Sequence, residues 1–302
     1  MINFEKIFPI INNASKKAQL FGFIIMLFAL LNIISIIPDI FGFMSKSGFV
    51  DPTINAKFLT TTKKLTLIDI TSFLENLSIP YHFAFILVIL AYISSLILFL
   101  FGYGKILFSF VACFLHTLIL NSSFLTSYGG DQMLSFLLFI NIIFSLEKNV
   151  PTKIFDLLFS FSIRLTQIQL CIIYFFAGFG KSLGHDYFDG NAIWLTFGLY
   201  MNENTFLQII PYIPPSIYKI LSLFTVIIEL LYPFLIINRI TRKWVVIEII
   251  ILHIAIGLLI GLYFFSIFMI LLNLIAFYHD DLYTYFHNIR QKITKLKYAK
   301  TY

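Results

Sequence analysis

Charge is what this chain has least of. Asp, Glu, Lys and Arg make up 12% of its 302 residues, against about 25% in soluble domains, and 59% of the residues are hydrophobic. Too few polar side chains remain to cover a water-soluble globule, so the chain is an integral membrane protein. Cysteine is almost as scarce: Cys113 and Cys171 both fall inside apolar runs, with no C-x-x-C or zinc spacing, and read as buried small hydrophobes rather than a redox or metal pair. The sequence also lacks a nucleotide-binding loop, a zinc signature and a Ser-His-Asp order, which leaves hydrolase and ATPase readings with little support. No internal repeat or Gly/Ser-rich or Pro-rich linker divides it, and a single membrane domain over 1–302 is the economical reading.

What is present fits a bilayer. The 37 phenylalanines accompany abundant Ile, Lys and Asn, a pattern that compositional bias and lipid-facing packing explain. The net charge of +6 comes from basic residues in short loops and in the tail, where they set orientation and imply no nucleic acid. Apolar stretches at Leu20 to Phe43, His82 to Phe101, Ile106 to Leu120, Met133 to Leu146, Phe155 to Phe176 and Ile217 to Ile237 approach the roughly 20 residues that cross a bilayer. The first is longer than a signal-peptide core and has no small-residue cleavage site, so it reads as a retained span. The last run, Trp244 to Tyr278, would extend about 50 Å as one helix, so a turn near Gly257 and Gly261 is expected to make it a hairpin. The expected fold is therefore all-α, a polytopic transmembrane helix bundle of about eight spans with interfacial helices in the outer loops, one of them over Lys63 to Leu77.

Under this count Lys16, Lys17, Lys105, Lys148, Lys153, Arg239, Arg242, Lys243 and the basic tail, 279–302, share one side. The positive-inside rule puts that side, and both termini, in the cytoplasm of a multi-pass cell-membrane protein. Lys46, Lys57, Lys63 and Lys64 dissent, but they lie in a long first loop, where the rule is weaker. The Tyr128 to Gln132 and Lys181 to Trp194 segments then lie as polar loops on the same outer face.

Polar and ionisable groups inside apolar spans are costly, so Arg164, Gln167, Gln169, Glu229, Glu248 and His253 are expected to face the bundle interior, a cavity or one another. Glu229 can pair with Arg164 or with Lys181 as an architectural clamp. His253 has no second histidine at metal-ligand spacing and reads as an interhelical hydrogen-bond partner, as does His116. His185 and Asp186 are a solvated loop or a proton relay. Lys181, at the end of Tyr174-Phe-Phe-Ala-Gly-Phe-Gly-Lys181, has two readings: a cation favoured by the helix dipole that snorkels to the headgroups, or a desolvated amine available as a base.

The same segment, continued through His185, Asp186 and Trp194, resembles the Y-F-x-A-G-x-x-K-L…W-x-x-G signature of the HTTM family, membrane proteins related to vitamin K-dependent γ-glutamyl carboxylase. Gly129-Gly-Asp131-Gln-Met-Leu134 resembles that family's G-G-D-x-L-L element, and His253 with Phe265-Ser266 its H-x-G-I-A…F-S helix. Glu229-x-x-x-Pro233 is similar to its E-x-x-x-P helix, and Phe43 to Pro52 to its D-x-G-x-x-P loop. The resemblance implies a lysine base at Lys181, with Asp131 and His253 as catalytic partners. Tyr174, His185, Asp186, Trp194, Glu229 and Arg164 become candidates for binding a substrate or a vitamin K or menaquinone hydroquinone cofactor. The carboxylase's Asn-Asn-His run is Gly129-Gly130-Asp131 here, and its large lumenal domain has no counterpart, which argues against glutamate carboxylation. The compact SdpB-like group is similar in length and in its G-G-D-Q run, which implies maturation of a secreted antimicrobial peptide with a partner maturation subunit. The alternatives are peptide or lipid binding, export or immunity without covalent change, and a scaffold that docks a soluble enzyme through the basic tail.

Overall fold

The computed structural model describes residues 11–46, 48–49, 64–123, 127–200 and 212–299. The Phe43 to Pro52 loop beyond Phe49, together with Lys57 and Lys63, lies outside the described residues. Every regular element among them is helical, and seven helices are long and apolar enough to cross a membrane, or up to eight if a bent pair counts as one span. The fold is thus the expected all-α membrane architecture. The chain packs as two compact units, Met1–Ser162 and Ile163–Tyr302.

In the first unit, α1 (Ala14–Ile36) passes through a 3-10 turn at Ile37–Asp39 into the short α2 (Ile40–Met44). After α3 (Leu67–Asn76) come α4 (Tyr81–Leu100), α5 (Lys105–Ser122) and α6 (Gly129–Phe144), the last continuing as a 3-10 turn over Ser145–Lys148. The long α7 (Thr152–Ser182) begins in this unit. Phe21, Phe85, Tyr92, Leu96, Phe155 and Phe159 are buried, while Phe83, Leu87, Leu107 and Phe110 stay exposed, as a surface facing acyl chains requires. Within the Lys63 to Leu77 stretch, expected to form an interfacial helix, α3 starts at a capping box made by Thr66 and Asp69. Lys17 departs from its expected place in a loop: it is 1% exposed, inside α1.

The second unit contains the Ile163–Ser182 part of α7, then α8 (His185–Asp189), α9 (Asn191–Tyr200) and α10 (Pro215–Ile237). It ends with α11 (Arg239–Ala255), a π-helical turn at Ile256–Ile260, α12 (Tyr263–Phe277) and α13 (His279–Ala299). Pro215 opens α10, where its missing N–H is harmless, and the Asn238 side chain caps α11 by accepting from Ile240 N at 2.9 Å. The expected hairpin break is real. Gly261 takes a φ of 81°, a left-handed conformation that costs glycine nothing, and divides the long apolar run into α11 and α12. α12 and α13 meet at 107°, so the basic tail begins as a helix turned away from the preceding one. The segment from Lys181 to Trp194 is not the polar loop expected from its charges but two short helices, α8 and α9, that pack against α10.

Candidate functional site

The second unit carries a polar centre built on four helices. Lys181, one residue from the end of α7, donates from Nζ to Glu229 Oε2 of α10 at 2.5 Å. Its side chain is 26% exposed and that of Glu229 8%, so the carboxylate depends on the lysine for its partner. Glu229 lies 14 residues from Pro215 and 8 from Ile237, about 21 and 12 Å along the axis, so the carboxylate sits within the length of α10 rather than at its end. Glycine makes the approach possible. A Cβ at Gly178 would lie 2.6 Å from the Leu230 backbone nitrogen and 3.0 Å from Glu229 Cβ, so any larger residue would push α7 and α10 apart. Pro233, four residues after Glu229 and inside α10, has no N–H to give to the Glu229 carbonyl, which leaves the backbone beside the pair short of a donor.

Beside this pair runs a directed chain of hydrogen bonds. Tyr232 Oη donates to Asn273 Oδ1 at 2.6 Å, and Asn273 Nδ2 donates to Tyr174 Oη at 3.0 Å and to Met269 O at 2.9 Å. Because Tyr174 Oη already accepts from Asn273, its own proton is assigned to His253 Nε2, 3.0 Å away. That assignment puts the proton of a neutral His253 ring on Nδ1, which is buried and has no hydrogen-bond partner among the described residues. Ser222 Oγ and Ser266 Oγ are buried and unpartnered as well. Such groups usually bond to something, so the unpartnered His253 Nδ1 beside this chain of hydrogen bonds marks a place suited to a polar ligand or water. The Tyr174 and Tyr232 rings pack with centroids 4.2 Å apart, which holds the chain in register. Lys181 is near enough to His253, and Glu229 to Tyr174, for direct electrostatic coupling. Tyr187 of α8 lies within electrostatic reach of the same carboxylate; burial first, then the Glu229 charge, pushes its phenol up from its ordinary value.

Of the residues read from the sequence, Lys181, Glu229, Tyr174 and His253 therefore come together. Glu229 chooses Lys181, not Arg164. Arg164 is exposed on α7 and donates from Nη1 to Gln167 Oε1 at 2.8 Å, while Gln167 Nε2 donates to Ala276 O at 2.7 Å. His185 and Asp186 are exposed on α8 with no partner among the described residues, and Trp194, on α9, is 47% exposed. Glu248 is partly buried on α11. Asn273 and Tyr232 are members of the centre that the sequence reading missed. Asn273 carried a usable signal, as the lone amide in the apolar run Leu271-Leu-Asn-Leu-Ile275.

Asp131 belongs to the first unit and performs a structural task there. At the third position of α6 its Oδ2 accepts from Tyr128 N at 3.2 Å, closing the helix start, and Asn32 of α1 hydrogen-bonds the same carboxylate. The Asp131 carbonyl can only accept, so His116 Nε2 donates to it at 3.2 Å, and His116 Nδ1 must then accept from Tyr92 Oη at 3.1 Å. His116 is thus the satisfied interhelical partner expected of it. Cys113 and Cys171 are free thiols, both partly buried. Among the described residues no group of His, Cys, Asp and Glu could hold a metal ion. No family model, curated protein or solved structure matches this chain.

Proposed function

We propose that this chain is an HTTM-type membrane protein that uses the Lys181–Glu229 pair for proton transfer on a hydrophobic substrate, in the maturation or modification of a secreted peptide of the SdpB-like kind. The observation that supports this reading is a carboxylate held at 8% exposure against a lysine, next to a chain of donors that ends in an unpartnered His253 Nδ1. Moving the shared proton from Nζ to Oε2 turns an ion pair into a neutral amine and acid, and a low-dielectric interior penalises the ion pair most. The neutral Lys181 amine can then take a proton from a substrate, with Glu229 holding the first proton. Tyr174 and Asn273 fix the His253 ring, so that Nδ1–H serves as an oriented donor to a substrate oxygen.

A vitamin K or menaquinone hydroquinone would take hydrogen bonds from His253 Nδ1 and Ser266 Oγ, buried polar atoms without partners among the described residues. Such a group would supply redox chemistry when bound, while Lys181 and Glu229 handle the proton. A partner maturation subunit is part of the same reading.

The second reading is non-enzymatic: a peptide- or lipid-binding, export or immunity protein in which Lys181–Glu229 is a clamp. The close packing of Gly178 on Leu230 and Glu229 favours it. Mass spectrometry of secreted peptides separates the two. Cells making the wild-type protein should release a peptide of altered mass that cells making Lys181→Ala, at matched membrane levels, do not. Identical masses would leave the clamp.

A further inference from the structure

Along the second unit's helices, from Arg164 and Arg242 toward Phe176 and Pro233, runs an open groove of about 670 Å³ formed by α7, α10, α11 and α12. Its floor is apolar, with Cys171, Phe175 and Phe234 among the lining side chains, and its two cations are Arg164 and Arg242. Arg164 and Lys181 are 17 residues apart on α7, about 26 Å along the axis, so the cationic end of the groove and the lysine lie at different depths.

The arginines are incompletely used. Arg164 gives Nη1 to Gln167 Oε1 at 2.8 Å, and Nε and Nη2 make no other bond among the described residues. Arg242 gives Nε to Ile236 O at 2.9 Å and Nη2 to Ile237 O at 3.1 Å, covering the carbonyls at the end of α10, and lies over the Phe277 ring at 5.7 Å. Nη1 of Arg242 is left. Neither guanidinium has a carboxylate partner among the described residues. Two positive charges without counter-ions, beside an apolar trough on helices that cross a bilayer, call for an anion attached to a hydrocarbon chain. Arginine forks match phosphate oxygens, and the phenylalanine-lined floor matches an acyl chain.

We infer that this groove binds an anionic membrane phospholipid, with the phosphate held between Arg164 and Arg242 and one acyl chain lying along the groove past Cys171 and Phe175. Arg164 is then a lipid ligand and not a member of the Lys181 site. Arg242, which also caps α10, fixes one side of the phosphate, and Arg164 supplies the side that a substitution can remove without uncapping a helix.

The test is native mass spectrometry of protein taken from nanodiscs of equal parts phosphatidylglycerol and phosphatidylcholine. Wild-type protein should retain phosphatidylglycerol in preference to phosphatidylcholine. Arg164→Gln should reduce that preference about tenfold, the worth of one charge-assisted hydrogen bond, whereas Arg164→Lys keeps most of it. A second perturbation leaves both arginines in place: alkylating Cys171 with a bulky maleimide in a Cys113→Ser background should expel the chain and lower retention. Phosphatidylglycerol preference that survives Arg164→Gln or Cys171 alkylation overturns the assignment, as does equal retention of the two lipids by the wild type.

Discussion

Breaking the Lys181–Glu229 pair from its two ends should have unequal consequences. In Lys181→Met a carboxylate that is 8% exposed loses its partner and has little water to turn to, a situation that costs about 3–5 kcal/mol. Glu229→Leu leaves a lysine that is 26% exposed, whose flexible stem can carry the ammonium to water, so the loss should be about 1 kcal/mol. Removing both charges in Lys181→Met/Glu229→Leu strands nothing and fills the site with apolar volume, so stability should return to within about 1 kcal/mol of wild type or exceed it. The coupling energy of the cycle is then at least about 3 kcal/mol. Equilibrium unfolding in mixed micelles, with a rising fraction of denaturing detergent, gives all four stabilities. Equal losses from the two single substitutions, or a double variant as unstable as their sum, would refute the claim that the carboxylate depends on Lys181.

Three further outcomes are expected. Gly178→Val should destabilise by about 1–3 kcal/mol in the same assay, because its Cβ would meet the Leu230 backbone nitrogen at 2.6 Å and α7 and α10 must separate; wild-type stability would mean that the helices do not approach so closely. Tyr232→Phe leaves Asn273 Oδ1 buried without its donor and should cost about 1–3 kcal/mol, whereas Asn273→Leu, which removes the acceptor as well, also frees Tyr174 and should alter any His253-dependent activity. Reporter fusions after Tyr302 should be active only as cytoplasmic reporters if the positive-inside reading of Arg239, Arg242, Lys243 and the tail is right; an active exported reporter would invert it.

The spans were readable in the sequence because lipid leaves one solution for an apolar run: a helix of about 20 residues. The break after the π-turn was readable for a related reason, since a 35-residue apolar run has no room in one crossing and Gly261 offers the bend. The helical form of Lys181 to Trp194 was not. Its charges suggest a loop, but Ala192 and Phe197 are largely buried, and packing on α10 overrides the local polarity. At the centre itself, the cost of burying Glu229 and His253 announced that each needed a partner. Which partner was a matter of helix rotation, and so Arg164 and Lys181 were indistinguishable as candidates until the face of α7 was known. Asp131 shows the converse: a carboxylate in a glycine-rich polar run looks chemical, yet it closes the start of α6. Tyr232 was hidden among 16 tyrosines, and only its hydrogen bond to Asn273 distinguishes it.

The central claim, that the Lys181–Glu229 pair moves a proton in the processing of a secreted peptide, is tested most directly by the masses of peptides released by cells expressing the wild type or Lys181→Met/Glu229→Leu at equal membrane abundance. The account predicts that the double variant accumulates as stably as the wild type and that the mass change seen with the wild type disappears. The same mass change with both proteins would contradict it.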